Sequence, residues 1–217
     1  SKTLVYRAIR EADEKPVILK LLKSTYPSAT ELVQFKNQYT ITKNIQSAGI
    51  VHSYSIEDYQ NRLVLVLEDF GGISLKEYAN SFPESSLPIG EFLTISLSIA
   101  STLHYLYCQK IIHKDIKPAN ILINLHTRQV KLIDFSIASS LPTEMQALTS
   151  LNVLEGTLSY LAPEQTGRMN RGIDYRTDFY ALGVTFYELL TGQLPFQSED
   201  LMELVHCHIA KQPIPIH

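Results

Sequence analysis

The hydrophobic pattern of this chain changes once, after residue 68, and that change limits the folds that it can adopt. Up to that point the apolar residues form short runs rich in β-branched side chains, apart from helical spacing over 29–45. The helix predicted there has Thr30 as its candidate N-cap. The short runs predict four strands, over residues 3–9, 16–22, 51–56 and 62–67.

From residue 89 onward the spacing of the apolar residues is mainly helical. Helices are predicted over residues 89–110, 178–190 and 201–210, with a long irregular stretch over 136–161. A strand-rich part followed by a helical part is typical of an α+β fold with two lobes. We expect a small β-rich N-lobe, a hinge and a helical C-lobe, over residues 1–67, 68–72 and 73–217.

Composition excludes some classes of partner. The 217 residues carry 19 basic and 22 acidic side chains, a net charge of −3, so neither nucleic acid nor an anionic membrane is expected as the main partner. The sequence has no run near the ~18 apolar residues that a spanning helix needs, and no signal-peptide pattern. Two cysteines are too few for a disulfide framework, so we expect a cytoplasmic protein.

The strongest chemical signal is the segment 113–120, which reads HKDIKPAN. Phosphoryl transfer needs a carboxylate that orients the attacking hydroxyl, and oxygen ligands that hold magnesium on the phosphates. Asp115 is followed five positions later by Asn120, and this is the spacing of a kinase catalytic loop with lysine in place of arginine. We expect Asp115 to accept the hydroxyl proton, Asn120 to bind a magnesium ion and Lys117 to neutralise the moving phosphoryl group.

Further motifs follow in a fixed order. Asp134 ends an apolar strand, as a second magnesium ligand requires. The segment 156–164 reads GTLSYLAPE, and the segment 178–183 opens an apolar helix. Upstream, Lys20 ends the apolar run 17–19, where a buried strand would hold its ammonium against the phosphates of a nucleotide.

These ordered motifs resemble the protein kinase family over essentially the whole chain. The resemblance implies a two-lobe protein kinase fold, ATP and magnesium as cofactors, and a protein substrate with a serine or threonine acceptor. Lys117 and Thr157 are similar to the serine/threonine branch rather than the tyrosine branch.

The resemblance also assigns roles by position. It gives catalysis to Asp115, Lys117 and Asn120, and metal binding to Asn120 and Asp134. It gives ATP binding to Lys20, Val5, Ile18, Glu68, Phe70, Leu122 and Gln38, with the Glu68 carbonyl and the Phe70 N–H meeting adenine. Structural or regulatory roles fall to His113, Phe135, Thr157, Glu164 and Asp178.

A narrower resemblance comes from the segments 162–171, APEQTGRMNR, and 174–178, DYRTD. They resemble the N-terminal kinase module of large bacterial hybrid proteins, of the cyanobacterial type. Those proteins join a serine/threonine kinase to sensor and histidine kinase regions, so the resemblance implies such covalently linked partners.

The chain departs from the family pattern at four places. Residues 1–3 contain no glycine and residues 3–6 correspond to the far strand of the glycine-rich loop, so we expect the first strand and that loop to be missing. We expect terminal helices to be missing beyond His217, including the one that supplies an arginine to Glu164. Gln38 stands where the family has a glutamate that pairs with the lysine, and Ser136 replaces the glycine of D-F-G. A serine there resists the positive φ that glycine tolerates.

Three functions are compatible with these residues. The leading one is an active ATP- and magnesium-dependent serine/threonine kinase. The second is a scaffold of the same fold, which binds partners and at most also nucleotide, with little phosphoryl transfer. Gln38, Ser136 and the absent glycines favour this function. The third is a small-molecule kinase, against which the segment 162–164 argues because it shapes a groove for a peptide.

Overall fold

The computed structural model describes residues 3–140, 158–168 and 172–216. The first part of the chain forms a four-stranded antiparallel sheet and one helix. The strand order in the sheet is β1-β2-β4-β3. The bounds are β1 (Thr3–Arg10), β2 (Lys15–Leu22), α1 (Ala29–Thr42), β3 (Ser53–Tyr59) and β4 (Arg62–Glu68).

The sheet sets the position of Lys20. Strands β2 and β4 pair with Lys20 opposite Leu65, and Leu65 is fully buried. Strand β2 alternates between the two faces of the sheet, so Lys20 lies on the face opposite Leu19 and Leu21. The pairing of this apolar strand therefore fixes the position of Lys20 relative to the sheet.

The start of helix α1 differs from the prediction. Thr30 is not the N-cap; Ser28 is, with an extended backbone and a side-chain oxygen that accepts from the Glu31 N–H. The Glu31 carboxylate reaches back to the Ser28 N–H, which completes a capping box. The Ser-x-x-Glu spacing of Ser28 and Glu31 is the sequence pattern that indicates this N-cap. The helix also ends at Thr42, three residues before the predicted end at residue 45.

The second part of the chain is mainly helical, as predicted. Its long helices pack around a small three-stranded sheet of order β5-β7-β8 and a pair of short strands, β6 and β9. The bounds are β5 (Ile73–Ser74), α2 (Leu75–Ala79), α3 (Ile89–Cys108), β6 (Ile111–Ile112), β7 (Ile121–Ile123), β8 (Val130–Leu132), β9 (Ser139–Ser140), α4 (Arg176–Thr191) and α5 (Leu201–Ala210).

Two main hydrophobic cores correspond to two lobes. The smaller core lies between α1 and the four-stranded sheet, around Phe35 and Leu65. The larger one lies between α3, α4 and the strands β7 and β8. Ile45 and Ile50 precede β3 in the chain yet pack in the larger core, and Ile50 bridges to Leu132. The segment after α1 is therefore fixed to the second lobe.

Helix α3, with the turn before it, is long and apolar enough to cross a membrane by length and composition alone, although no such run was expected. About a third of its most apolar window is buried. The buried side chains, among them Ile95, Ile99 and Leu103, belong to the larger core. This packing accounts for the buried face of α3, whereas Ile89, Leu93 and Leu97 of the same helix are exposed.

Truncation of Leu65 tests the packing of the smaller lobe. Leu65→Ala removes a fully buried side chain from the centre of β4 and should lower the free energy of unfolding by about 2–5 kcal/mol. Urea denaturation followed by circular dichroism measures this change. The control is Val33→Ala on α1, where the side chain is 66% exposed and a change within about 0.5 kcal/mol is expected. An equal, small effect of both substitutions would contradict this packing.

Candidate active site

A cleft of about 370 Å³ lies between the four-stranded sheet and strands β7 and β8. All seven residues that the sequence assigned to ATP binding line it, together with Asp134. They are Val5, Ile18, Lys20, Gln38, Glu68, Phe70 and Leu122. The volume is in the range of small-molecule sites, and the lining combines apolar side chains with several charged and polar ones.

Lys20 lies at the inner end of the cleft between two partners. Its Nζ donates to Gln38 Oε1 at 2.9 Å and lies 3.1 Å from Asp134 Oδ1. The Gln38 side chain is buried, and the Lys20 side chain is 12% exposed. The ammonium therefore joins helix α1 to the end of β8, with one neutral and one charged acceptor.

Asp134 has an unusual backbone and environment. Burial raises its pKa, but the Lys20 ammonium and hydrogen bonds from Lys20 and Ser136 outweigh burial, so the net pKa lies below its usual value. Its φ is +64°, in the left-handed region. Ser136 does not have a positive φ, so the expected backbone conflict at this serine is absent. Asp134 takes the left-handed conformation instead, and aspartate tolerates it better than most residues.

Asp115, Lys117 and Asn120 lie together at the catalytic-loop position. Lys117 Nζ contacts both carboxylate oxygens of Asp115, at 2.8 and 2.9 Å. Asn120 Nδ2 donates to Asp115 Oδ2 at 2.6 Å and to the Asp115 carbonyl at 2.9 Å. Asn120 is held there because a 3₁₀ turn over Pro118–Asn120 leads directly into β7. The Asp115 carboxylate is thus fixed by one cation and one amide.

Asp178 supports this loop from beneath. Its two carboxylate oxygens each accept a backbone N–H at 2.7 Å, from His113 and from Lys114. Burial raises the pKa of Asp178. Helix α4 carries the aspartate in its first turn, so a rigid element sets the height of the loop.

His113 and Phe135 pack at the centre of the site. His113 is fully buried, its Nε2 lies 3.0 Å from the Ile133 carbonyl and its Nδ1 accepts from the Asp115 N–H at 3.2 Å. A carbonyl requires a donor, so these contacts assign the Nε2–H tautomer. The Phe135 ring is almost fully buried and meets the His113 ring edge-on, 4.6 Å between centroids. The pair ties the loop at 113–120 to the segment after Asp134.

The hinge is fixed by residues that the sequence analysis did not identify. Lys131, a buried lysine on β8, contacts Glu68 Oε1 at 2.6 Å. Asn124 Nδ2 donates to the Phe70 carbonyl. The Glu68 side chain also accepts from the His52 N–H at 3.1 Å. A lysine within the apolar strand β8 was the one sequence signal for the Lys131–Glu68 pair.

Two predicted positions remain, Glu164 and Thr157. Glu164 Oε1 accepts from Thr177 Oγ1 at 2.7 Å, which gives it a hydroxyl partner within the described residues. Thr157 lies outside the described residues. The buried Glu188 accepts from Tyr160 at 2.5 Å and from the half-exposed Lys76 at 2.6 Å, contacts that sequence reasoning missed. Burial and this bond raise the pKa of Tyr160.

The residues present fit a magnesium ion and a nucleotide. Asp134 Oδ1 is buried, and the Lys20 ammonium 3.1 Å away is its ionic partner. The Asn120 amide nitrogen donates to the Asp115 carboxylate and carbonyl, and this orients the side chain. The amide oxygen is therefore the atom that remains to bind a cation. Carboxylate and amide oxygens are the ligand types that magnesium takes. Lys20 supplies a point charge for phosphate at the same end of the cleft.

Comparison with known proteins agrees with this geometry. The sequence profile of the family described as "Protein kinase domain" matches residues 1–215. The chain is 31% identical over 214 residues to the probable serine/threonine-protein kinase CPE1738 of Clostridium perfringens, covering 98% of this chain and 30% of that protein. It is 32% identical over 199 residues to the serine/threonine-protein kinase PrkC of Bacillus subtilis, covering 90% and 29%.

A third relative is the serine/threonine-protein kinase Pkn1 of Myxococcus xanthus, 32% identical over 203 residues and covering 92% of this chain and 28% of that protein. The chain thus spans less than a third of the length of each of these three relatives.

Substitution of Asp178 tests the support of the catalytic loop. In Asp178→Asn the amide oxygen can accept one of the two N–H groups, and the amide nitrogen faces the other. An unsatisfied buried N–H costs about 1–3 kcal/mol, so the free energy of unfolding should fall by that amount. Urea denaturation measures it, with Asp58→Asn on the exposed end of β3 as the matched control. Equal stability of Asp178→Asn and the parent chain would contradict the buried bonds.

Proposed function

Because the chain belongs to the protein kinase family, we propose that it transfers the γ-phosphate of ATP, with magnesium, to serine and threonine hydroxyls of proteins. The observation that carries this proposal is a lysine–aspartate pair inside the cleft, with Asp115 in a loop that His113 ties to Ile133 beside that pair. Lys20 and Asp134 lie in ionic contact at the inner end of the cleft, and Asp115 lies in the loop that Asp178 supports.

Each residue has a distinct task in this reaction. Lys20 binds the α- and β-phosphates through its ammonium, which Gln38 and Asp134 hold in place. Asp115 orients the substrate hydroxyl and takes its proton, because its carboxylate is the proton-accepting group of the catalytic loop. Lys117, already in contact with Asp115, is close enough to neutralise charge on the transferred group.

Asp134 and Asn120 are the residues that would hold magnesium. A bound magnesium ion supplies positive charge that stabilises the phosphate oxygens during transfer. The lowered pKa of Asp134 keeps its carboxylate ionised at neutral pH, as a metal ligand requires. Glu68 and Phe70 offer the backbone carbonyl and N–H for adenine, on a hinge that Lys131 and Asn124 fix from behind.

The choice of serine and threonine rests on Lys117 and on the three relatives, each named a serine/threonine-protein kinase or a probable one. We also propose a cytoplasmic role in signal transduction, within a larger polypeptide that carries sensor and histidine kinase regions. The segment 162–171 supports this architecture by its sequence. The test is to isolate the native polypeptide with an antibody to this chain and sequence its peptides. Peptides from a histidine kinase region support the proposal, and a polypeptide without one contradicts it.

A scaffold with little phosphoryl transfer is the second candidate, and Gln38 is the observation that favours it. The amide gives Lys20 no compensating charge, so Asp134 is its one ionic partner in the described residues. Against the scaffold stands the full set of Lys20, Asp115, Asn120 and Asp134 in mutually consistent positions, because a scaffold has no need of all four.

Asp115→Asn tests the catalytic carboxylate. The substitution should lower transfer of the γ-phosphate to a protein acceptor by more than about 100-fold, because the amide cannot take the hydroxyl proton. ATP affinity should stay within about twofold, since Asp115 does not line the cavity. Radiolabel transfer and equilibrium binding of ATP measure the two effects.

The matched control for Asp115 is Asp58→Asn, an exposed aspartate on β3. It should leave both transfer and ATP affinity unchanged. Turnover of Asp115→Asn equal to that of the parent chain would show that the catalytic loop is assigned wrongly.

Gln38→Glu tests the neutral partner of Lys20. The Lys20–Gln38 bond already has a charged donor, so glutamate would add the attraction of an opposite charge, a gain of about 1–2 kcal/mol once the cost of burying the carboxylate is subtracted. That gain corresponds to a rise of roughly 5- to 30-fold in transfer rate or in Mg·ATP affinity. Gln38→Ala should lower both. If the glutamate and alanine variants both match the parent chain, the contact between Gln38 and Lys20 has no functional weight.

A further inference from the structure

A second amide on helix α1 contacts the segment that carries Asp134. Asn37 Nδ2 lies 2.8 Å from the Ala138 carbonyl, 3.1 Å from the Ser136 carbonyl and 3.4 Å from the Phe135 carbonyl. One NH₂ group has two hydrogens, so these three acceptors share two donors. The two stronger contacts go to the carbonyls of Ser136 and Ala138.

The position of Asn37 makes these contacts unusual. Asparagine is a poor residue for the interior of a helix, because its side chain competes for nearby backbone groups. Here the side chain instead reaches carbonyls that lie 98 to 101 positions away in sequence. Helix α1 therefore keeps an unfavourable residue at a point where it makes long-range bonds.

The segment that Asn37 contacts has a backbone that needs support. It begins at Asp134, whose left-handed φ is less favourable than the ordinary extended or helical conformations. It continues through Ser136, where the family pattern has glycine. Carbonyls turned toward α1 and held by one amide fix the direction in which the chain leaves Asp134.

We propose that Asn37 is a positioning residue, which holds the metal-binding carboxylate of Asp134 in place by fixing the segment after it. Gln38 and Asn37 are consecutive, so α1 holds both sides of the Lys20–Asp134 pair: Gln38 contacts the lysine, and Asn37 contacts the segment after the aspartate. The two neutral amides together position the Lys20–Asp134 pair. A charged partner of Lys20 would fill only part of that role. This inference rests on the proposed function, because it concerns the same cleft.

The test compares Asn37→Ala with three other variants. Asn37→Asp keeps the shape but places a carboxylate against three carbonyl oxygens, and Asn37→Gln keeps a donor on a longer side chain. The matched control is Asn44→Ala, an exposed asparagine just beyond α1. Alanine is a better helix residue than asparagine, so the substitution at position 37 does not weaken α1 itself.

The first readout is binding of a fluorescent ATP analogue to the chain, titrated with magnesium and repeated without it. Asn37→Ala should raise the magnesium concentration for half-maximal binding by roughly 3- to 10-fold, the factor expected for loss of neutral hydrogen bonds. Affinity without magnesium should stay within about twofold. Asn37→Asp should have the larger effect, Asn37→Gln an intermediate one, and Asn44→Ala none. An unchanged magnesium requirement in both the alanine and aspartate variants would overturn the proposal, even if their melting temperatures fell.

The second readout is hydrogen exchange without nucleotide or metal. Faster exchange in Asn37→Ala, confined to amides 133–140, supports the proposal. No change there, or faster exchange spread over both lobes, contradicts it. A parent chain that binds Mg·ATP with an Asn37-dependent magnesium requirement but transfers no phosphate would refute the proposed function and leave the role of Asn37 standing. If the parent chain binds no nucleotide, hydrogen exchange alone decides.

Discussion

The contact between the Lys20 ammonium and the Asp134 carboxylate is the interaction on which the rest of the site depends. It joins a strand of the first lobe to a segment of the second, at a distance of 3.1 Å. The Lys20 side chain is mostly buried and the Asp134 side chain is two-thirds buried, so their attraction is stronger than at a surface, and the loss of either would leave the other poorly compensated. The same two groups are the ones that phosphate and magnesium would meet. The ion pair therefore sets the width of the inner cleft and keeps both charges ready for a ligand.

The second lobe contributes rigidity to the site. Asp178 on α4 accepts two backbone N–H groups of the catalytic loop, and His113 in that loop donates to the Ile133 carbonyl next to Asp134. Buried polar groups of this kind are costly when unpaired, so satisfied networks specify one arrangement of the loop. Asp115 and Asp134 are thereby held by one connected set of bonds.

The sequence predicted the lobes and most of the cleft because those features follow from local periodicity and from motifs in a fixed order. It did not predict the contacts of Asn37 or Lys131, since their partners lie 63 to 101 positions away and only the packed fold brings them together. The predicted N-cap, Thr30, is wrong because a capping residue type near a helix start does not fix the exact position; Glu31, three residues after Ser28, completes the capping box that identifies Ser28. The backbone conflict expected at Ser136 does not arise, because the positive φ falls at Asp134. Hydrophobic patterns do not predict the backbone angles of single residues.

The central claim is that this cleft carries out phosphoryl transfer through Lys20. The most direct measurement is transfer of radiolabelled γ-phosphate from ATP to a protein acceptor, with magnesium, by the parent chain and by Lys20→Met, which keeps the length of the side chain without its charge. We predict measurable transfer to serine or threonine by the parent chain and a loss of more than about 100-fold in Lys20→Met, measured at a temperature at which both chains are folded. Equal transfer by both chains, or none by a folded parent chain that binds Mg·ATP, would contradict it.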